Sequence, residues 1–377
     1  MIYTFYTAKN RVLQNGYKMR LLHVITGLSK AAGTSVFCAE VCNGLVAAGH
    51  DVTIAVCNPT AKDSCPLDVR IKLVSIDSVI NSSESVQFDV VHVHALWTPI
   101  LHRVSKWARR NNLPVVWSPH GMLAPWAMKH KWWKKCLPWH LYQKGDLKRA
   151  ALLHATSEQE ERWIRECGFN QLVVVVPLGT AVEPLKPSAD KVSRTLLFVG
   201  RIYPVKALDR LIEAFARVPE TVRQGWRLRL VGPDQSGHQK ALESLVQSLG
   251  LVESVEFPGP KFGEELEREY NACDCLALVS HTENFGATVV DAMAHGKPVI
   301  TGDRTPWREV VERKCGWWVS NEPDKLSVAL GEMMSLSDDE RRQMGTNGRE
   351  LVEEEYIWGA VVKEMVKGYE SVVGGRG

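Results

Sequence analysis

The most constraining feature of the sequence is one alternation that runs twice. Met19 opens an apolar stretch, Arg20-Leu-Leu-His-Val-Ile25, followed by a glycine-containing loop, Gly27-Leu-Ser-Lys-Ala-Ala-Gly33. A helical segment then reaches Ala48, Gly49 stops it, and Asp51-Val-Thr-Ile-Ala-Val56 forms a second strand. Such a βαβ unit needs its two strands parallel. The pattern continues through Asp89-Val-Val-His-Val-His94, a basic helix over Leu101 to Arg110, and Pro114-Val-Val-Trp-Ser118. A second series starts at Thr195-Leu-Leu-Phe-Val199 and passes through Trp226-Arg-Leu-Arg-Leu-Val231, Val255-Glu-Phe257, Cys275-Leu-Ala-Leu-Val279 and Pro298-Val-Ile300. The expected fold class is therefore α/β, with two Rossmann-like domains. A chain of 377 residues has the length for two such cores.

Residues 1 to 18 show no clear periodicity and read as a loose extension. The first domain is placed at 19–183 and a polar, Pro- and Lys-containing linker at 184–193. The second domain follows at 194–355. Tyr356-Ile-Trp358-Gly-Ala-Val-Val-Lys-Glu-Met365 begins a last apolar helix, covering 356–377. Open parallel sheets bind ligands at the carboxyl ends of their strands, so function is sought in the loops there, at a cleft between facing halves.

With 46 Lys+Arg against 43 Asp+Glu the net charge is only +3, which argues against a nucleic-acid partner. Nine cysteines, an odd number with no paired C-x-x-C spacing, read as reduced thiols. Cys38 and Cys42 fall one helical turn apart, but two ligands make no metal site, and they are assigned none. No run of about eighteen apolar residues and no signal-peptide pattern is found, so a cytoplasmic location is expected.

The clearest chemical signal is Glu283-Asn-Phe-Gly-Ala-Thr-Val-Val-Asp291, in which two carboxylates bracket a helix start. Backbone N–H groups around Asn284, Phe285, Gly286 and Thr288 suit a phosphate, while Glu283 and Asp291 suit sugar hydroxyls. A second signal is Gly200-Arg201-Ile-Tyr-Pro-Val-Lys206 at a strand end. An Arg can grip a diphosphate bidentately and a Lys adds a point charge, although strand-end cations are more often plain solvated surface. Ser118-Pro-His120-Gly121 ends a strand in the first half; a lone histidine there is more often a structural hydrogen-bonding group. His92 and His94 fit an alternating strand and receive no role.

Together these elements resemble the retaining GT-B glycosyltransferases of family 4, also called group 1, from Met19 to about Val373. The E-x7-E motif of that family matches Glu283 and position 291, where this chain has Asp. Its G-R-x4-K element matches Gly200, Arg201 and Lys206, and its strand-end histidine-glycine element matches His120 and Gly121. The resemblance implies that Arg201 and Lys206 neutralise a nucleotide-sugar diphosphate, that Glu283 holds sugar hydroxyls, and that Asp291 holds the ribose. It implies that His120 faces the donor sugar and that the loop of Gly33, Thr34 and Ser35 lies near the diphosphate, although a helix-capping role for Thr34 or Ser35 fits equally. It also implies retention of anomeric configuration and a terminal helix packing back on the N-terminal domain. His120 and Glu283 are thus the catalytic candidates. No D-x-D dyad accompanies them, so no metal and no cofactor is expected.

Trp126-Ala-Met-Lys129-His-Lys131-Trp132-Trp133-Lys134-Lys135-Cys-Leu-Pro-Trp139-His-Leu-Tyr142 interleaves aromatics with cations. Trp126, Trp133 and Leu137 fall at helical spacing beside Lys129, Lys134 and Lys135, which suits an anionic membrane surface or a phosphorylated acceptor. The plainer reading is tryptophans packed on the domain and lysines in water. Pro138 limits any helix here. The expected function is transfer of a hexose-type sugar from UDP or GDP to a glycan or lipid-linked acceptor in surface polysaccharide or lipopolysaccharide synthesis. A nicotinamide-dependent oxidoreductase is disfavoured because Gly27 to Gly33 lacks G-x-G-x-x-G spacing. A non-catalytic sugar- or membrane-binding module would not need a diphosphate clamp.

Overall fold

A computed structural model describes residues 18–30, 32–61, 65–82, 88–185 and 194–373. The extension expected at 1–18 lies outside them apart from Lys18, as does the linker expected at 184–193 apart from Pro184 and Leu185. The chain divides into two compact units, one formed by residues up to Pro177 together with those from Trp358 onward, the other by Leu178–Ile357.

In the first unit the strands are β1 (Arg20–Val24), β2 (Asp51–Val56), β3 (Lys72–Ser75), β4 (Val90–His94), β5 (Val115–Ser118), β6 (Leu152–Ala155) and β7 (Val173–Val175). They form one sheet in the order β3-β2-β1-β4-β5-β6-β7, with every neighbouring pair parallel. Long apolar runs without alternation are what a sheet covered on both faces requires, and β4, β5 and β6 are buried along their whole length. The helix Gly33–Ala47 and the terminal helix Trp358–Val373 pack on each other over this sheet. A Cβ on Gly44 would collide with Val362 Cγ2, so a glycine is what lets the two helices approach so closely. Val361, Val362, Met365 and Tyr369 are buried there.

The second unit repeats the scheme with β8 (Arg194–Val199), β9 (Trp226–Val231), β10 (Val255–Gly259), β11 (Cys275–Leu278), β12 (Val299–Gly302) and β13 (Gly316–Val319), in the order β10-β9-β8-β11-β12-β13, again all parallel. Its core joins strand residues such as Leu197, Phe198, Leu230 and Leu276 to Leu211 and Phe215 of the helix Leu208–Arg217.

Two unit boundaries differ from the sequence expectation. The first falls at Pro177/Leu178 and not at Glu183, because Leu178 and Val182 pack against the second core and Thr180 N donates to Tyr356 O at 2.8 Å. The second falls at Ile357/Trp358, because Tyr356 rests on Phe285 and Trp307. Strands β3, β6, β7 and β13, three or four residues each, add to the strands expected from the sequence.

Candidate functional site

The second unit gathers Glu283 and Lys206. Strand β8 ends at Val199, Gly200 N continues the ladder to Val231 O at 2.9 Å, and the chain then turns through a short 3-10 helix, Pro204–Lys206. His281 N donates to Val205 O at 2.8 Å, which ties this turn to the loop after β11. Lys206 Nζ therefore meets Glu283 Oε2 at 2.5 Å, with both side chains only 15% exposed. Ser280 Oγ donates to the same oxygen at 3.1 Å. Arg201 is exposed and donates to Gln235 Oε1 at 2.8 Å, so the two expected cations do not yet converge.

The helix Ala287–Ala294 starts on Gly286, whose φ is +84°; a Cβ there would stand 2.6 Å from Leu278 Cδ2 and 3.2 Å from Trp307 Nε1. Only glycine satisfies both conditions, and the start of the helix lies beside Glu283, whose Cγ would stand 3.3 Å from that Cβ. Asn284 and Thr288 are partly buried beside it. The Phe285 ring is buried against Trp307, so this residue can offer a ligand only its backbone. Asp291 Oδ1 accepts from Thr180 Oγ1 at 2.8 Å and Oδ2 from Tyr270 Oη at 3.5 Å. Burial pushes its carboxyl up to about 6, against the pull of the Thr180 hydrogen bond.

In the first unit a row of histidines lines one face at the sheet centre. His23 and His92 are register partners on β1 and β4, and His94 is opposite Ser118 on β5. His92 Nδ1 lies 2.6 Å from Tyr369 Oη and its Nε2 lies 2.6 Å from Ser118 Oγ. Ser118 Oγ is 2.6 Å from His154 Nδ1, and His154 Nε2 donates to Val176 O at 2.8 Å. His120, with φ of +52°, places Nε2 at 3.0 Å from His94 Nδ1. Glu160 holds the following turn by accepting from Gly121 N, while Thr156 N and Oγ1 both donate to its other oxygen at 2.8 Å. Burial keeps the imidazoles of His92 and His120 well below the usual range and brings His154 down to about 4. Their neutral forms are thus the resident ones.

Several expectations change. His92 and His94, which received no role, form the centre of this network, and β1, α-helical and C-terminal residues distant in sequence complete it. Glu160 was missed, although Ser157-Glu-Gln-Glu160 carries the S-x-x-E spacing of a helix start, and Ser157 Oγ does accept from Glu160 N at 3.1 Å. Gly33 opens its helix with no side-chain cap, and Ser35 Oγ donates to Gly27 O at 3.0 Å, so neither Thr34 nor Ser35 caps it. Among the described residues, the ligating atoms of His23, Cys38 and Cys42 lie within 4.8 Å of one another, as do those of His23, His92 and His94.

The aromatic and basic segment is not one helix. Pro125–Lys129 and Trp132–Pro138 are separate, because Lys131 takes a left-handed φ of +50°, so Trp126 does not share a helical face with Trp133 and Leu137. The second α-helix ends at Pro138, and a π-turn at Trp139–Gln143 carries the chain on into Lys144–Lys148. Trp126, Trp132, Trp133, Leu137 and Leu141 are exposed. Lys129, Lys131 and Lys134 are exposed, whereas Lys135 turns inward, donating to the carbonyls of Ala127 and His130. A separate cavity of about 910 Å³, lined by Arg20, Asp51, Arg70 and Lys72 among others, sits at the amino ends of β1, β2 and β3 and holds none of the sequence-predicted residues.

Two all-parallel Rossmann-like units of this kind define the GT-B class of glycosyltransferase fold. Sucrose-phosphate synthase from Thermosynechococcus elongatus superposes with a TM-score of 0.75 at 19% identity, over 95% of this chain and 100% of that one. Anabaena HepE, solved with UDP and glucose, superposes with a TM-score of 0.74 at 18% identity, over 94% and 100%. The chain belongs to the family 4, group 1 glycosyltransferases: residues 31–183 match Glycosyltransferase Family 4 and residues 183–351 match Glycosyl transferases group 1. A D-inositol 3-phosphate glycosyltransferase of Mycolicibacterium gilvum is 35% identical over 190 residues, which take in 48% of this chain and 40% of that relative. The chain thus spans less than half the length of this curated relative.

Proposed function

We propose that the protein transfers a hexose-type sugar from a nucleotide-diphosphate sugar, UDP or GDP, to a glycan or lipid-linked glycan, with retention of anomeric configuration. The observation that carries this reading is the Lys206–Glu283 pair beside the Gly286-led helix start. Lys206 is poised to exchange Glu283 for a diphosphate oxygen. Glu283, so released, accepts from sugar hydroxyls, and Arg201 leaves Gln235 to grip the diphosphate bidentately. Asp291 has further lone pairs with which to take the ribose while keeping Thr180. As the bond from the anomeric carbon to the phosphate oxygen breaks, the acceptor oxygen bonds to that carbon on the same face. The acceptor's proton passes to the departing phosphate. His120, neutral and held by His94, faces the donor sugar in this reading. Two cations and the helix start stabilise the leaving diphosphate without a metal there. HepE, solved with UDP and glucose, supports a nucleotide-sugar donor.

The exposed tryptophans together with Lys129, Lys131 and Lys134 support an anionic membrane surface as the place of the acceptor, in surface polysaccharide or lipopolysaccharide synthesis. Among the described residues no helix is long and apolar enough to cross a membrane.

A thermal-shift and donor-hydrolysis screen with UDP-, GDP- and ADP-sugars tests the function. The true donor nucleotide stabilises the chain by about 2.7 kcal/mol at a hundredfold excess over its Kd. Magnesium or manganese leaves its hydrolysis rate unchanged. Stabilisation by NAD and by no nucleotide sugar overturns the reading, and hydrolysis strictly dependent on either added ion overturns the metal-free clamp.

A further inference from the structure

We propose that His23, Cys38, Cys42 and His94 bind one zinc ion inside the first unit, and that this ion sets which ring nitrogen of His120 carries the proton. Cys38 and Cys42, one turn apart on the helix Gly33–Ala47, face β1 and β4 from above the sheet, and all four side chains are fully buried. The ligating atoms of His23, Cys38 and Cys42 lie within 4.8 Å of one another. His23 Nδ1 is 3.0 Å from His94 Nε2. Tetrahedral zinc, with bonds of about 2.0–2.1 Å to nitrogen and about 2.3 Å to sulfur, sets its ligands some 3.3 to 3.8 Å apart, so His23 and the two cysteines draw together around the ion and His94, beside His23, closes in as the fourth ligand. Two thiolates and two imidazoles are a zinc set, and two thiolate charges cancel the ion's, so the burial of the whole group costs little electrostatically. On binding, the two thiols release their protons to solvent.

His92 is not the fourth ligand, because Tyr369 and Ser118 occupy both of its nitrogens. The same contacts fix the proton positions. Val176 O can only accept, so His154 carries its proton on Nε2 and accepts at Nδ1 from the Ser118 hydroxyl. Ser118 in turn accepts from His92 Nε2–H, and His92 Nδ1 accepts from the Tyr369 hydroxyl. Tyr369 accepts from His23 Nε2–H at 3.4 Å, which leaves a lone pair on His23 Nδ1, on the side of the cysteines and His94. Metal-free, that lone pair accepts a hydrogen bond from His94 Nε2–H, and His94 Nδ1 then accepts from His120 Nε2–H. With zinc, both His23 Nδ1 and His94 Nε2 give their lone pairs to the ion. His94 then donates Nδ1–H to His120 Nε2, and the His120 proton moves to Nδ1. The closed, four-ligand shell makes this a structural ion that acts on His120 through His94. The site stands apart from the transfer reading; only its bearing on catalysis rests on that reading.

The test uses the full chain and neither donor nor acceptor. Purified from zinc-supplemented medium, it is expected to hold about one zinc per chain by elemental analysis. After metal removal, added Co²⁺ is expected to give thiolate-to-cobalt charge-transfer absorption and tetrahedral d–d bands. Cys38→Ser and Cys42→Ser abolish both, whereas Cys57→Ser, at an exposed thiol, keeps both. ¹⁵N shifts of the His120 ring exchange between the two nitrogens when zinc is added. Should a serine variant fail to fold, the cobalt spectrum of the unaltered chain decides. A chain without zinc that gives no thiolate–cobalt bands overturns the site, and His120 shifts indifferent to bound zinc overturn the tautomer control.

Discussion

Lys206 and Glu283 stand 2.5 Å apart with 15% of each side chain exposed, so any change to one is felt by the other. Lys206→Ala removes a cation from the diphosphate and leaves a largely buried carboxylate without its counter-charge. Transfer is expected to fall 10²- to 10³-fold, about 2.7 to 4 kcal/mol of transition-state stabilisation, with a lowered Tm as a second effect. Steady-state kinetics check it, and a rate within threefold of the parent refutes the assignment. Asp291 makes a pH prediction. Its folded carboxyl titrates near 6 against 3.8 in the unfolded chain, so between those values the folded state holds a proton that the unfolded state gives up. Stability therefore falls as pH rises through about 4 to 6 and levels off above. Asp291→Asn, whose side-chain oxygen still accepts from Thr180, is expected to flatten that slope and gain up to about 3 kcal/mol at pH 7, read from denaturant midpoints across the pH range. A slope unchanged by the substitution rules Asp291 out as its source.

At the scale of elements, two helices decide how the histidine network is closed. Gly33–Ala47 supplies Phe37, Cys38 and Cys42, and Trp358–Val373 supplies Tyr369, whose hydroxyl lies 2.6 Å from His92 Nδ1. Gly44 sets their separation. Helix propensity alone favours alanine over glycine by about 0.8–1 kcal/mol. The clash with Val362 works in the other direction, because overpacking a close contact typically costs about 1–3 kcal/mol. Gly44→Ala is therefore expected to destabilise the first unit, with faster amide exchange in β1 and β4; a net gain in stability shows instead that the helix contact yields freely. In the second unit the corresponding element is Ala287–Ala294, whose start depends on Gly286 and whose register places Glu283 before it and Asp291 within it.

For the whole molecule, the question is where the acceptor is met. Among residues 126–141, Trp126, Trp132, Trp133, Leu137 and Leu141 are exposed, as are Lys129, Lys131 and Lys134. Each lysine contributes about 1 kcal/mol near an anionic bilayer, and tryptophan favours the headgroup region. Sedimentation is expected with phosphatidylserine-containing vesicles, little with neutral ones, and less as salt rises. Changing these three lysines to Gln is expected to remove the binding while donor hydrolysis persists. Lys135 is left intact because it holds the Ala127 and His130 carbonyls. Equal sedimentation of parent and variant with anionic vesicles would mark the segment as an ordinary solvated face.

What the sequence determined by itself was whatever depends on local order. Uninterrupted apolar runs such as Cys275–Leu278 specify buried parallel strands, and Gly49 after a helical stretch specifies its end. The spacing of Gly200, Arg201 and Lys206, and of Glu283 and Asp291, was visible because each set lies on one turn or one short helix. Only the tertiary structure could pair Lys206 with Glu283, seventy-seven positions away, or hold Asp291 by Thr180. It alone could turn His23, His92, His94, His120, His154 and Tyr369 into one network, because residues on different parallel strands become neighbours only through sheet order and register. Cys38 and Cys42 show the division most plainly. Their spacing along the helix is a property of the chain, but the imidazoles facing them come from β1 and β4, and burial, which sets the charge each group can carry, exists only once the sheet and both helices have closed over them.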